Sequence, residues 1–295
     1  MRAEFFKATE VVKEKVIRSM ESGIFSVAAS YAESQDMDVR TALPLFIRDY
    51  FTALGIQPKY EAHGEMSVGE MEKQLLASPG IVLANHPDGH FDIPAIMQLL
   101  AQREKLKIMV KEDRVAELVK YFGPDFAVPA AKDIASVRKA VADVKEHIDN
   151  GGLFLIFPGG GHEGIVRDAL NRKTQGLPPR EALPQVKFES FTGHIIKRVL
   201  RPTDMVFSFY IDPEDVEKSL PSVNRRLPLI LPGLLRNEMS GLVKFDQSSF
   251  RVGMSWGIAK EWQNLSGINT QEGTKEALSR HYLEQFGVEY QGQDE

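Results

Sequence analysis

From about residue 70, short apolar segments alternate with longer amphipathic segments, and this alternation restricts the possible folds most. The segments that predict strands are "GIVLAN", "LKIMVK", "DFAVPA", "LFLIFP", "MVFSFYI" and "FRVGMSWG". The segments that predict helices are "IPAIMQLLAQ", "RVAELVKYFG" and "DIASVRKAVADVKEHIDNGG". Strands separated by helices are typical of α/β folds with a parallel sheet. We therefore predict an α/β fold with a mixed, largely parallel sheet that is flanked by helices.

The first part of the chain shows helical periodicity instead. In "FFKATEVVKEKVIRSM" and "VRTALPLFIRDYFTALG", apolar residues recur at spacings of three and four. Gly55 ends the second segment, as a glycine commonly does after the last turn of a helix. We predict an N-terminal helical segment over residues 1–65 and an α/β domain over residues 66–295.

Composition excludes several classes of protein. The 295 residues suffice for one large domain or a domain with an appendage. The net charge of -5 argues against a nucleic-acid partner, and the absence of cysteine excludes disulfides, thiolate metal sites and a cysteine nucleophile. No run approaches eighteen apolar residues, so we expect no membrane span. The short run "RLPLILPGLL" predicts either a packed loop or a surface that meets lipid.

Four polar side chains follow the first predicted strand of the α/β domain within seven residues: His86, Asp88, His90 and Asp92. Sites in such folds lie beyond the carboxyl ends of strands. A histidine beside a carboxylate can act as a general base near neutral pH. Asp92 also stands where a helix begins and can cap it. We predict His86 and Asp92 as catalytic residues, with Asn85, Asp88 and His90 in substrate binding.

The same four side chains also suit a metal. Histidines and carboxylates are good ligands for zinc or manganese. The "HPD" run resembles the His-Pro-Asp-Asp opening of zinc-dependent deacetylases, although Gly89 replaces the second aspartate. No later H-x-x-H completes a ligand set. A metal-dependent hydrolase that uses His86, Asp88, His90 and Asp92 is therefore an alternative function.

A glycine-rich turn follows the most strand-like segment, in "LFLIFPGGGHEG". Backbone N–H groups of such a turn can approach an anion or an oxyanion. The turn lacks the lysine of a Walker loop and is not a G-x-S-x-G motif. We predict that Gly159, Gly160 and Gly161 bind substrate, with His162 and Arg167 in the same pocket.

Taken in order, these segments resemble the glycerolipid acyltransferase superfamily, which includes glycerol-3-phosphate and lysophosphatidic acid acyltransferases. The family opens with N-H, four residues and D ahead of a helix, and here Asn85-His86 precede Asp92. About seventy residues later the family has a strand and F-P-E-G-T-R, or P-S-G-G-R in its soluble plastid branch; here the segment is "IFPGGGHEG". The segments "VKFESFTGHIIKRVL", "MVFSFYI" and "FRVGMSWGIA" are similar to later family segments, so the resemblance covers roughly residues 70–290.

The resemblance implies transfer of a fatty acyl group from acyl-CoA or acyl-carrier protein to a hydroxyl acceptor such as glycerol 3-phosphate or a lysophospholipid. His86 would deprotonate the acceptor hydroxyl, and Asp92 would orient the imidazole and balance its charge. The hydroxyl would attack the thioester directly, so no cofactor and no metal are expected. The glycine turn would place N–H groups near the oxyanion or the acceptor phosphate. The resemblance also implies that the enzyme is cytoplasmic, with or without peripheral contact to a membrane.

Both main motifs depart from the family pattern. Five residues rather than four separate His86 from Asp92, so either the turn bulges or Asp88 takes the orienting role. The family's Glu falls at Gly159 and its Arg at His162. Phosphate recognition is therefore expected either to be weakened or to come from other basic residues, namely Lys111, Arg114, Lys132, Arg167 or Arg172. A different alcohol or an amine is an alternative acceptor. A non-catalytic homologue that binds acyl groups or lipid is a further alternative.

Overall fold

The computed structural model describes residues 24–87, 92–130, 133–159, 188–216, 218–219, 248–265 and 270–290. Its strands are β1 (Ile56–Ala62), β2 (Gly80–Ala84), β3 (Leu106–Val110), β4 (Ala127–Pro129), β5 (Leu153–Ile156), β6 (Met205–Ile211) and β7 (Ser248–Ile258). Its helices are α1 (Ile24–Ser34), α2 (Val39–Leu54), α3 (Val68–Ala77), α4 (Asp92–Leu100), α5 (Glu112–Phe122), α6 (Ile134–Asp149), α7 (Ser190–Arg198), α8 (Ala259–Leu265) and α9 (Gln271–Glu284).

The strands form one seven-stranded sheet in the order β1-β7-β6-β2-β5-β3-β4. Strand β2 pairs in parallel with both β5 and β6, and β3 pairs in parallel with β4 and β5. The β6–β7 pair is antiparallel. The predicted α/β fold with a mixed, largely parallel sheet is therefore confirmed. Because β2, β5 and β3 are parallel neighbours, their carboxyl ends meet at the same edge of the sheet.

The predicted helices are present wherever the structure describes them. The segments beginning at Ile93, Arg114 and Asp133 form α4, α5 and α6. Helix α2 ends as predicted at Gly55, which has a φ of 65° and donates its N–H to Phe51 and Thr52 carbonyl oxygens. The earlier helical segment, within residues 1–23, lies outside the described residues. Among the helices that the structure describes, we find no candidate for a membrane-spanning segment.

Strand β1 lies inside the segment predicted to be helical. Its sequence, "IQPKYEA", contains Pro58 and alternates only weakly between buried and exposed positions. It lies at one edge of the sheet, where a proline is tolerated because no ladder hydrogen bond from its nitrogen is needed. The strands therefore begin before residue 70, at Ile56.

The chain divides into two compact units. The first contains α1, α2 and α4, and α2 packs against both of the other helices. Its buried aromatic residues include Phe46 and Phe51 on α2. The second unit contains β2 to β6 and the remaining helices. The predicted domain boundary near residue 65 stays a prediction.

In the second unit, helices α6, α7, α8 and α9 supply a common core with the sheet. Their apolar residues form one buried cluster with the sheet residues Ile81, Leu83, Phe154, Ile156 and Val206. The alternate positions in β2 and β5 supply these contacts, as expected for strands whose successive side chains point to opposite faces. This core holds the central strands that lead to the candidate site.

Gly80 is the first residue of β2, and the backbone of β6 approaches it closely. Its φ of 151° favours glycine, and a Cβ atom at this position would overlap the carbonyl group of Met205. We expect Gly80→Ala to lower the free energy of unfolding by about 3 kcal/mol, because backbone atoms cannot move aside as a flexible side chain can. Urea denaturation measures this change.

Gly69 provides the matched control for that substitution. It lies in the first turn of α3, and a Cβ there would meet no atom within 4 Å. Gly69→Ala should leave stability unchanged or raise it by up to about 1 kcal/mol, through helix propensity. Equal effects of the two substitutions would contradict the close β2–β6 approach.

Candidate functional site

The candidate site lies at the carboxyl edge of the parallel strands. Asn85 and His86 directly follow β2, and Gly159 is the third residue after β5. Lys111 directly follows β3. Since these strands are neighbours in the order β2-β5-β3, the structure brings these four predicted residues to one edge. This is where ligands bind in open α/β sheets.

Asn85 fixes the backbone immediately before His86. Its side chain is 2 % exposed; Nδ2 donates to the Ile211 carbonyl oxygen at 2.8 Å, and Oδ1 accepts the Ile211 N–H at 2.7 Å. The backbone N–H of Asn85 donates to the Tyr282 hydroxyl at 3.0 Å, and that hydroxyl donates to the Phe209 carbonyl oxygen. These bonds tie the end of β2 to β6 and α9, which is a positioning role. The predicted role of Asn85 in substrate binding stays a prediction.

His86 is half-buried and contacts an aromatic residue at the end of the neighbouring strand. The centroid of its imidazole ring lies 4.8 Å from that of the Phe157 ring, with an interplanar angle of 37°. Phe157 and Pro158 directly follow β5. The imidazole is therefore held against the segment that leads into the glycine-rich turn.

Asp92 is the first residue of α4 and belongs to the other compact unit. Its side chain is fully buried, and Oδ1 accepts the N–H of Ile93 at 2.6 Å. A carboxylate at this position favours the start of a helix, as the sequence predicted. Asp88 and His90 lie outside the described residues. The pairing of His86 with either aspartate stays a prediction.

The predicted phosphate-binding residues are only partly described. Lys111 is exposed at the N-cap position of α5. Arg114 lies in the first turn of that helix, and its Nη1 is 3.4 Å from Glu117 Oε2. Both residues stand at the sheet edge that carries His86 and Gly159. The remaining predicted site residues lie outside the described part of the chain: Lys132, Gly160, Gly161, His162, Arg167 and Arg172.

Phe157 is part of the wall of a cleft of about 720 Å³, which we call the α6–α7 cleft. Its volume lies within the range of small-molecule sites. Its lining is mostly apolar and comes from the ends of β3 and β5 and from helices α6 and α7. The apolar lining residues include Met109, Val137, Val141, Phe157, Pro158 and Phe191. A molecule in this cleft would therefore contact Phe157, which itself contacts His86.

The polar residues of the cleft come from α6, from α7 and from the residues that directly precede these helices. Thr192 lines the cleft and is 1 % exposed, and its hydroxyl has no hydrogen-bond partner among the described residues. His194 and Arg198 are exposed on the same helix. Glu189, which precedes α7, donates its N–H to the Pro158 carbonyl oxygen at 2.7 Å. This bond fixes the start of α7 against the turn after β5.

Sequence reasoning did not identify the α6–α7 cleft. Its wall residues come from four separate segments, and no spacing in the sequence relates Val137 to Phe191. The available signal was the helix "SFTGHIIKR", which carries two cations in its last turn. Cations in the last turn of a helix also stabilise it through the helix dipole, so this pattern alone did not indicate a site.

The cluster of His86, Asp88, His90 and Asp92 is also the predicted metal site. Within the described ranges, no group of three histidine, aspartate or glutamate side chains could hold a metal ion. Two members of the predicted set, Asp88 and His90, lie outside those ranges. The metal-dependent alternative therefore stays a prediction.

No protein-family model, curated protein or solved structure matches the chain. The likeness to glycerolipid acyltransferases consequently rests on the quoted motifs and their order.

The Asn85 bonds predict a measurable cost when they are removed. We expect Asn85→Ala to lower the free energy of unfolding by about 3 kcal/mol, because two hydrogen bonds are lost and both Ile211 backbone groups are left unpaired. Chemical denaturation measures the loss. The exposed amide of Gln102 is the control, and Gln102→Ala should change stability by less than about 0.5 kcal/mol. A neutral Asn85→Ala would contradict the positioning role.

Proposed function

We propose that this protein is an acyltransferase that moves a fatty acyl group from a thioester donor to a hydroxyl acceptor. One observation carries the proposal. The imidazole of His86 contacts Phe157, and Phe157 is part of the wall of the apolar α6–α7 cleft. The apolar cleft can bind the fatty acyl chain. A general base beside the cleft can then act at the thioester at the end of that chain.

The cleft supports binding of an acyl chain in particular. Transfer of each methylene from water into an apolar environment is favourable by about 0.8 kcal/mol, so a cavity of this size and lining can hold a chain tightly. Ile134 extends the apolar surface outward and is 74 % exposed. A long-chain substrate would cover this side chain, which gives the exposed isoleucine a function.

In the proposed reaction, His86 removes the proton from the acceptor hydroxyl. The hydroxyl oxygen attacks the carbonyl carbon of the thioester, so a C–O bond forms and the C–S bond breaks. The departing thiolate receives the proton from the imidazolium, which returns His86 to its starting state. General-base catalysis of this kind contributes roughly 10²- to 10⁴-fold to the rate.

Two further groups are assigned by the motif resemblance. An aspartate, either Asp92 or Asp88, orients the His86 ring and stabilises the imidazolium. The glycine-rich segment Gly159 to Gly161 supplies N–H groups to the oxyanion or to an acceptor phosphate. Lys111 and Arg114 are the described cations at this edge, and they support an acceptor that carries a phosphate, such as glycerol 3-phosphate or a lysophospholipid.

The proposal predicts a strong and selective effect of removing the imidazole. We expect His86→Ala to reduce acceptor-dependent thiol release from long-chain acyl-CoA or acyl-carrier protein by about 100-fold or more. A thiol-reactive dye measures the release without background from the enzyme, because the chain contains no cysteine. Mass spectrometry of the acylated acceptor identifies the product.

His63→Ala is the matched control, since His63 also packs its ring against a phenylalanine, Phe286, at 5.3 Å. This variant should keep full activity, and both variants should keep the wild-type unfolding midpoint within a few degrees. Turnover retained by His86→Ala would contradict the mechanism. Activity that a chelator removes and zinc restores would instead favour a metal-dependent hydrolase.

A further inference from the structure

We propose that His281, together with Gln285 and Trp262, forms a pH-sensitive latch between α8 and α9, and that protonation of His281 is transmitted through Tyr282 to Asn85. We call these three side chains the α8–α9 latch. The latch would act on any reaction at the candidate site, because it controls how the end of β2 is held. It gives a role to a histidine that the catalytic scheme does not use.

The half-buried imidazole of His281 contacts both helices. Its ring centroid lies 4.7 Å from that of Trp262 on α8, with an interplanar angle of 79°. Its Nε2 lies 3.2 Å from Nε2 of Gln285, which directly follows α9. Among the described residues, the charged side chains whose fields act on the ring are Glu261 on α8 and Glu284 on α9. A change of charge on the imidazole therefore affects the contact between the two helices.

The contact with Gln285 specifies the protonation state of His281. An amide nitrogen can only donate a hydrogen bond, so His281 Nε2 accepts it, and the ring is neutral with its proton on Nδ1. The other end of the same amide, Gln285 Oε1, is buried and has no hydrogen-bond partner among the described residues. Buried polar groups usually have a partner. The neutral state of the latch thus leaves one acceptor unused.

Protonation of His281 requires a second arrangement of the amide. Both ring nitrogens of the imidazolium donate, so an Nε2–H group would face the amide nitrogen of Gln285, which is also a donor. Rotation of the amide by half a turn brings Oε1 to this N–H group and gives the oxygen its partner. The latch therefore has two discrete arrangements, one for each charge of the ring.

Burial favours the neutral arrangement at neutral pH. Desolvation lowers the pKa of His281 below its ordinary value of 6.5, whereas the carboxylates of Glu261 and Glu284 oppose this change. Because folding lowers this pKa, the unfolded chain binds more protons than the folded chain at mildly acidic pH. The contribution of His281 to stability is therefore lost as the pH falls through 6.5 toward the pKa of the folded state.

A row of aromatic contacts joins the latch to the candidate site. Trp262 stacks on Phe188 with ring centroids 6.3 Å apart, and the Phe188 ring centroid lies 5.6 Å from that of Tyr282. The Tyr282 hydroxyl accepts the backbone N–H of Asn85 at 3.0 Å. All three aromatic side chains are fully buried in a close-packed core, so one ring cannot move without its neighbours. Tyr282 also directly follows His281 on α9, which gives a second route along the helix.

Tryptophan fluorescence tests the latch itself. The chain has two tryptophans, so Trp256→Phe leaves Trp262 as the reporter. We expect its emission to fall between about pH 7 and about pH 5, since an imidazolium quenches indole more strongly than a neutral imidazole does. His281→Gln should lose this transition. The matched control is His147→Gln: burial lowers the pKa of this histidine too, but its ring contacts the Leu153 carbonyl oxygen, and the transition should remain.

Nuclear magnetic resonance of protein labelled with ¹⁵N at asparagine tests the transmission. The backbone N–H signal of Asn85 should shift with the same midpoint as the Trp262 emission, and His281→Gln should abolish this shift. Tyr282→Phe removes only the hydroxyl that binds Asn85, so it should abolish the Asn85 shift and keep the Trp262 transition. Circular dichroism identifies the pH range in which each variant remains folded.

Three results would overturn the inference. The first is wild-type latch chemistry without a Trp262 transition, and the second is a transition that persists in His281→Gln. The third is an Asn85 signal that does not follow the midpoint of Trp262. None of these measurements needs a substrate or turnover, so the latch and the proposed acyl transfer can fail independently of each other.

Discussion

The pairing of Asn85 with Ile211 is the interaction on which the candidate site depends. Strand β2 lies between β5 and β6 and is buried along its whole length. The backbone N–H and C=O groups at its end therefore need hydrogen-bond partners inside the protein. The Asn85 amide provides both a donor and an acceptor to one residue of β6. This arrangement fixes the direction in which the chain leaves the sheet, and His86 is the next residue.

The parallel register then determines what His86 can meet. Leu83 of β2 lies beside Ile156 of β5, so the residues that follow each strand leave the sheet close together. His86 contacts Phe157, and Glu189 binds the carbonyl of Pro158. The edge that holds the proposed base is in this way joined to α7 and to the α6–α7 cleft. The positions of the proposed base and of the apolar cleft follow from one sheet edge and the helices packed beside it.

Much of the fold was predictable from the sequence because its signals are local. The apolar runs of β2, β3, β5 and β6 and the periodicity of α4, α5 and α6 need no knowledge of distant contacts. Gly55 was recognisable as a helix end because a left-handed residue there suits glycine. Strand β1 was not predicted, since its weak alternation and Pro58 gave no clear strand signal.

The site was predictable only in part, for a physical reason. His86, Gly159 and Lys111 lie within three residues of a strand end, and a parallel sheet brings such positions together without further information. The positioning role of Asn85 depends on a partner 126 residues away, and the α6–α7 cleft depends on the packing of separate helices. Neither relation leaves a periodic pattern in the sequence.

Protection of a single introduced cysteine would test most directly whether the α6–α7 cleft holds an acyl thioester. Because the chain contains no cysteine, Val141→Cys places one thiol in the wall of the cleft, and Lys139→Cys places one on the exposed face of the same helix. We expect a saturating long-chain acyl-CoA to slow maleimide labelling of Val141→Cys by about tenfold, since a bound chain excludes the reagent. Labelling of Lys139→Cys should not change. Equal labelling of Val141→Cys with and without acyl-CoA would contradict the account.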